Sequence, residues 1–106
     1  AGMMLLSAQS QAGANYRGGK RLQKCETDSA AAYNTCGGYI MAISDYQDTL
    51  LNWSDLDEPN FCVPEGATSG QLVKVVTKYL NEHPEDLHLS AGGSVANALS
   101  DAFPCS

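Results

Sequence analysis

Four cysteines, Cys25, Cys36, Cys62 and Cys105, stand 11, 26 and 43 residues apart in a chain of 106. A chain of this length builds one small domain with a modest core, so covalent cross-links contribute noticeably to its stability. None of the spacings is the C-x-x-C of a zinc site or redox motif, and two disulfides are the better reading. Disulfides point to an oxidising compartment, and four cysteines by themselves leave three pairings open.

The N-terminal residues agree with export. Residues 1–16 carry no charge, run from the apolar stretch 3–6 into small polar residues, and contain Ala12-Gly13-Ala14. That is the tail of a secretory signal peptide with an A-x-A cleavage pattern, so residues 1–14 are expected to be removed after Ala14, leaving 15–106 as the mature domain. A short apolar helix belonging to the fold is the alternative. No run approaches the roughly 18 apolar residues that a membrane span needs.

The net charge of −6 is unevenly spread. Arg17, Lys20, Arg21 and Lys24 hold four of the six cations, whereas twelve carboxylates after residue 24 face only Lys74 and Lys78. Nucleic acid is excluded as a partner, because phosphate binding needs a basic face. An acidic surface steers in a basic protein partner, and it also keeps an exported protein soluble.

Hydrophobic spacing predicts an all-α domain, a small compact bundle of about four helices with one long ordered loop and two disulfides. The first helix, near residues 18–25, turns Leu22 and Cys25 inward. Asp28 or Ser29 caps the second, in which Cys36, Tyr39, Ile40, Ile43, Tyr46 and Leu50 form one apolar stripe. Gly37-Gly38 inside it costs roughly 1 kcal/mol per glycine against alanine, which predicts a neighbouring backbone packed close there. Thr68-Ser69-Gly70-Gln71 is a capping box that opens the third helix, with Leu72, Val75, Val76, Tyr79 and Leu80 inward. His83-Pro84 stops it, because proline removes a backbone donor and pushes its predecessor out of helical geometry. Pro84, Glu85 and Asp86 suit the first turn of a fourth helix bearing Leu87, Ala91, Val95, Ala98 and Leu99, with a break near Ser90 permitted by Gly92-Gly93. Residues 51–67 are too polar and proline-rich for regular structure, yet Cys62 argues for order there. In this layout a hairpin of the first two helices favours Cys25 with Cys36, and Cys62 with Cys105 then ties the loop to the C-terminal end.

The stretch "NEHPEDLHLSA", residues 81–91, suggests a reactive cluster. His83 falls outside a helix that starts at Pro84, so His83 and His88 do not share a face as the two histidines of H-E-x-x-H do. The simpler reading makes His83 a helix-end residue and His88 a partly buried hydrogen-bonding one, with a dimer contact as its alternative. A cysteine nucleophile served by either histidine fails when all four thiols are oxidised. Asp55, Asp57 and Glu58 lack the glycine and terminal glutamate of a calcium loop. No catalytic residue, metal ligand or cofactor is therefore assigned. Trp53, beside those three carboxylates, reads equally as a protein-binding anchor and as a lid on the core. Asn52-Trp53-Ser54 also fits the short glycosylation acceptor pattern.

Several motifs, in order and spacing, resemble one family. Cys36-Gly37-Gly38-Tyr39-Ile40, Phe61-Cys62-Val63-Pro64, the stretch "QLVKVVTKYL" at 71–80, His83-Pro84-Glu85-Asp86-Leu87-His88, Ala98-Leu99 and Phe103-Pro104-Cys105 look like the Rap/Tai family, immunity proteins against type VI secretion amidase effectors. The resemblance covers nearly all of residues 22–105. It implies a helical, disulfide-bonded homodimer in the periplasm of a Gram-negative bacterium. It also implies a function: protection of the producer from itself and its siblings by occluding the groove of a peptidoglycan amidase, a cysteine-histidine hydrolase. The chain departs at Ala42, where the family often has glycine, and near Gly93 or Ser94, where it has a larger apolar residue. The matching positions are cysteines, glycines, caps and core residues, so no binding residue transfers by motif. Loop length and charge instead make Trp53, Ser54, Asp55, Asp57, Glu58 and Asn60 the expected effector-binding element. The rival class is a small secreted disulfide-bonded protein that binds lipid or another surface ligand, which would need an exposed apolar face.

Overall fold

The computed structural model describes Leu22, Cys25 and residues 29–105. Residues 29–105 form three α-helices, α1 (Ala30–Asn52), α2 (Ser69–Glu82) and α3 (Ala91–Ala102), with a one-turn 3-10 helix, Pro84–Asp86, between the last two. No strand occurs among the described residues. The expected leader at 1–14, the basic cluster from Arg17 to Lys24, Asp28 and most of the expected helix at 18–25 lie outside the described residues. Leu22 and Cys25, its two inward positions, are fully buried.

Local chemistry sets the helix ends. Ser29 caps α1, its hydroxyl accepting from the Ala32 amide at 3.3 Å. At α2 the capping box is complete, with Thr68 Oγ1 accepting from the Gln71 amide at 3.2 Å and Gln71 Oε1 accepting from the Thr68 amide at 2.8 Å. Pro84 forces His83 to φ −130° and ψ 66°, which ends α2. The fourth segment is shorter than a helix begun at Pro84 would be. Pro84 opens only the 3-10 turn, and the chain restarts at Ala91 with Ser90 Oγ accepting from the Gly93 amide at 3.2 Å. A side chain at Gly93 would stand 3.3 Å from that capping oxygen, so glycine leaves room for the cap. Ser94, next to it, is buried.

The core lies where α2 packs against both α1 and α3. Leu72, Val73, Val76 and Leu80 meet Cys36 and Ile40 from α1 and Ala91, Val95, Ala98 and Leu99 from α3, while Phe61 enters from the loop. Each of the leucine, isoleucine, valine and phenylalanine side chains contributes about 1.5–3 kcal/mol by leaving water. The inner face of α2 is rotated from the expected one: Val73 and Thr77 are buried, and Val75 and Tyr79 are only half-buried. Thr77 tolerates burial because its hydroxyl donates to the Val73 carbonyl at 2.9 Å.

Two expectations for α1 change. Tyr46 is 53 % exposed, and Gln47 takes the inward position beside it. At Gly37 the neighbour is not a backbone: an added side chain would meet Ser69 Cβ and Val73 Cγ2 of α2 at an ordinary 3.8 Å, and Gly38 faces open space. The disulfides join Cys25 to Cys36 and Cys62 to Cys105, the favoured pairing, and leave no free cysteine among the described residues. No helix of the described residues is long and apolar enough to cross a membrane.

Candidate functional site: the acidic loop after α1

The loop following α1 is pinned at three places. Its first anchor is the helix end itself, where the Ser54 amide donates to the Leu51 carbonyl at 3.1 Å and the Asp55 amide to the Leu50 carbonyl at 2.9 Å. These two bonds are a Schellman motif, which requires a left-handed residue, and here Ser54 takes φ 61°. Glycine adopts that conformation without the steric cost of a Cβ. Ser54→Gly is therefore expected to stabilise the fold by about 1 kcal/mol, read as a rise of roughly 4–8 °C in Tm.

Gln47 is the second anchor. Its Nε2 donates to the Phe61 carbonyl at 2.9 Å, and its Oε1 accepts from the amides of Asn60 at 2.8 Å and Phe61 at 3.3 Å. One buried amide thus satisfies three backbone groups of an irregular segment, which regular structure would otherwise pair. Sequence reading missed it, although Gln47 stands four residues after Ile43 and seven after Ile40, on the inward line. The third anchor lies at the end of α3: the Cys62 amide donates to the Phe103 carbonyl at 2.8 Å, Ser100 Oγ donates to the Asn60 carbonyl at 3.1 Å, and Cys62 is bonded to Cys105.

Between these anchors the proposed binding side chains are brought together on the outside. Trp53 is 64 % exposed, so it does not fold back over the core. Ser54, Asp55, Asp57, Glu58 and Asn60 are exposed beside it. No cation occurs from residue 25 to 73 to neutralise the loop from its own segment.

The histidine stretch is a corner. The Tyr79 and His83 rings stack with centroids 4.0 Å apart, and Tyr79 Oη donates to Asp86 Oδ2 at 2.8 Å. That bond to Asp86, helped by burial, pushes the Tyr79 hydroxyl up to about 12, so it stays a neutral donor. His83 Nδ1 lies 2.8 Å from the Tyr79 carbonyl, and because a carbonyl only accepts, Nδ1 carries the hydrogen. This bond raises the His83 pKa, partial burial opposes it, and the carboxylates of Glu85, Asp101 and Asp86 add to the rise. His88 is exposed, contrary to the expected buried position, because the 3-10 turn carries it outside any helical register. Among the described residues no three histidine, cysteine or carboxylate groups converge as metal ligands would.

A family profile described as Rap1a immunity proteins matches residues 17–105. The chain belongs to the Rap1a immunity family. No curated protein and no solved structure matches it significantly. An immunity protein acts on an effector by binding it, and the pinned loop of this Rap1a-family chain presents an exposed aromatic beside three exposed carboxylates. The His83 corner matters for stability instead. A histidine whose pKa is raised on folding stabilises the fold fully below its ordinary value of about 6.5 and loses that contribution as pH rises through the folded value. The Tm advantage of the wild type over His83→Gln is thus expected at pH 5.5–6 and should shrink toward pH 8, modestly, because solvent screens the ring.

Proposed function

We propose that this protein is a periplasmic immunity protein that binds a type VI secretion peptidoglycan amidase and occludes its active-site groove, protecting the producer and its siblings. It acts as a homodimer and by binding, with no catalytic step of its own. The observation that carries this reading is the exposed Trp53 beside Asp55, Asp57 and Glu58 on a loop fixed at both ends. A cysteine-histidine hydrolase offers a histidine, and often further cations, in its groove, and carboxylates presented there pair with them in a partly desolvated setting. Pre-ordering by the Gln47 bonds and the Cys62–Cys105 bridge lowers the entropy cost of docking. Family membership and the two disulfides support an exported immunity protein.

The reading is tested by calorimetric titration of the amidase with wild type and with a variant carrying Asp55→Ser, Asp57→Ser and Glu58→Ser. Close interfacial charge pairs couple by about 1.5 kcal/mol or more each, so the triple variant should bind at least a hundredfold more weakly. Unchanged affinity would remove the loop from the interface. Binding to liposomes with no affinity for the amidase would favour the lipid-binding class instead.

A further inference from the structure

The apolar arc of α1 is wider than the core that covers it. Cys36 and Ile40 are buried at its centre, Tyr39, Ile43 and Leu50 are half-buried along one flank, and beyond them Tyr46 and Trp53 are the exposed large hydrophobics of the described residues. Tyr46 and Trp53 are seven residues apart. At 100° and 1.5 Å per residue they lie within about 20° of each other around the axis and about 10 Å apart along it. They form one aromatic strip that runs from the helix body into the acidic loop. Asp45, about 100° from Tyr46 around the helix, and Asp55 just beyond the helix end are exposed at its margin.

We infer that the strip from Tyr46 to Trp53 is the central contact of the partner interface, and that its occupant is a protein cleft apolar at the centre and rimmed by lysine, arginine or histidine. This rests on the immunity reading above and extends the contact surface two helical turns back from the loop. Tyrosine and tryptophan supply large contact area at low conformational cost, which suits them as anchors. The surrounding charge selects the occupant. A second copy docked on this face about a two-fold axis would set the acidic margin of Asp45 and Asp55 against the same acidic face, with no cation of this segment to pair it. A basic rim pairs both carboxylates.

The test uses the full-length protein and the purified peptidoglycan amidase effector of the producing organism. Affinity is measured for wild type, Tyr46→Ser, Tyr46→Lys and the triple loop variant, with the size of each immunity protein followed by sedimentation. Tyr46→Ser should weaken binding at least tenfold and Tyr46→Lys more, with unchanged helix content and oligomeric state. Association of the wild type should slow between about 0.1 M and 1 M salt, where the Debye length falls from about 10 Å to about 3 Å. If wild type binds and the triple variant is weakened but both Tyr46 variants bind as wild type, the strip is overturned and the immunity reading stands. If the Tyr46 variants dissociate a dimer while amidase binding persists, the occupant is a second copy and the inference is overturned. Failure of wild type to bind overturns both.

Discussion

Replacing Cys62 and Cys105 together by serine is expected to lower stability by about 4 kcal/mol, against about 3 kcal/mol for the Cys25–Cys36 pair. The difference follows from the chain enclosed, 43 residues for one bridge and 11 for the other, because the longer loop gains more entropy in the unfolded state when it is released. For a domain of this size the larger loss corresponds to a drop of more than about 15 °C in Tm. The two bridges also differ in what they hold. Cys25 and Cys36 sit in the core, whereas Cys62 and Cys105 are exposed and tie the loop to the end of α3. Calorimetric melting of both double-serine variants, with and without reductant, checks the order; an equal or reversed order would contradict the loop-closure explanation.

Gln47→Leu is expected to cost about 3 kcal/mol despite replacing a polar side chain by an apolar one of similar size, because it leaves buried backbone groups without partners. The Phe61 carbonyl and the Asn60 and Phe61 amides all lose their partner at once. Its effect is local as well as global. Amide exchange at residues 60 and 61 should accelerate far more than at Leu72 or Val76 in the core, and affinity for the amidase should fall as the Trp53 loop loses its inner anchor. Gln47→Leu with wild-type stability and unchanged exchange at these amides would show that the loop is ordered by something else.

What was legible in the sequence was chemistry confined to a few neighbouring residues. The Thr68–Gln71 capping box, the Ser29 cap and the stop at His83-Pro84 each depend on backbone donors within one helical turn, whereas the fourth helix, expected from Pro84 with a break permitted near Ser90, starts at Ala91. The sequence left three disulfide pairings open, and helix order favoured the one that forms. What stayed hidden depends on the far side of the molecule. Periodicity marked an apolar arc on α1 and could not say where the core would end, so Tyr46 was read inward while the inward neighbour, Gln47, bonds a segment 14 residues away. Burial of Thr77 is invisible to hydrophobic patterning because its own helix satisfies the hydroxyl. The left-handed turn after α1 gave no signal, since serine stands where glycine would announce it. Of the candidate site, the acidic residues and Trp53 were legible as composition; their common exposure and the three anchors that hold them were not.

The most direct measurement is an inhibition titration of the amidase on peptidoglycan peptides. It compares wild type with a variant combining Trp53→Ala with Asp55→Ser, Asp57→Ser and Glu58→Ser, after checking that both melt at similar temperatures. Wild type is expected to abolish cleavage at a stoichiometric ratio, and the variant to need at least a hundredfold more protein for the same effect. Undiminished inhibition by the variant, or no inhibition by wild type, would contradict the assignment of the loop as the inhibitory element.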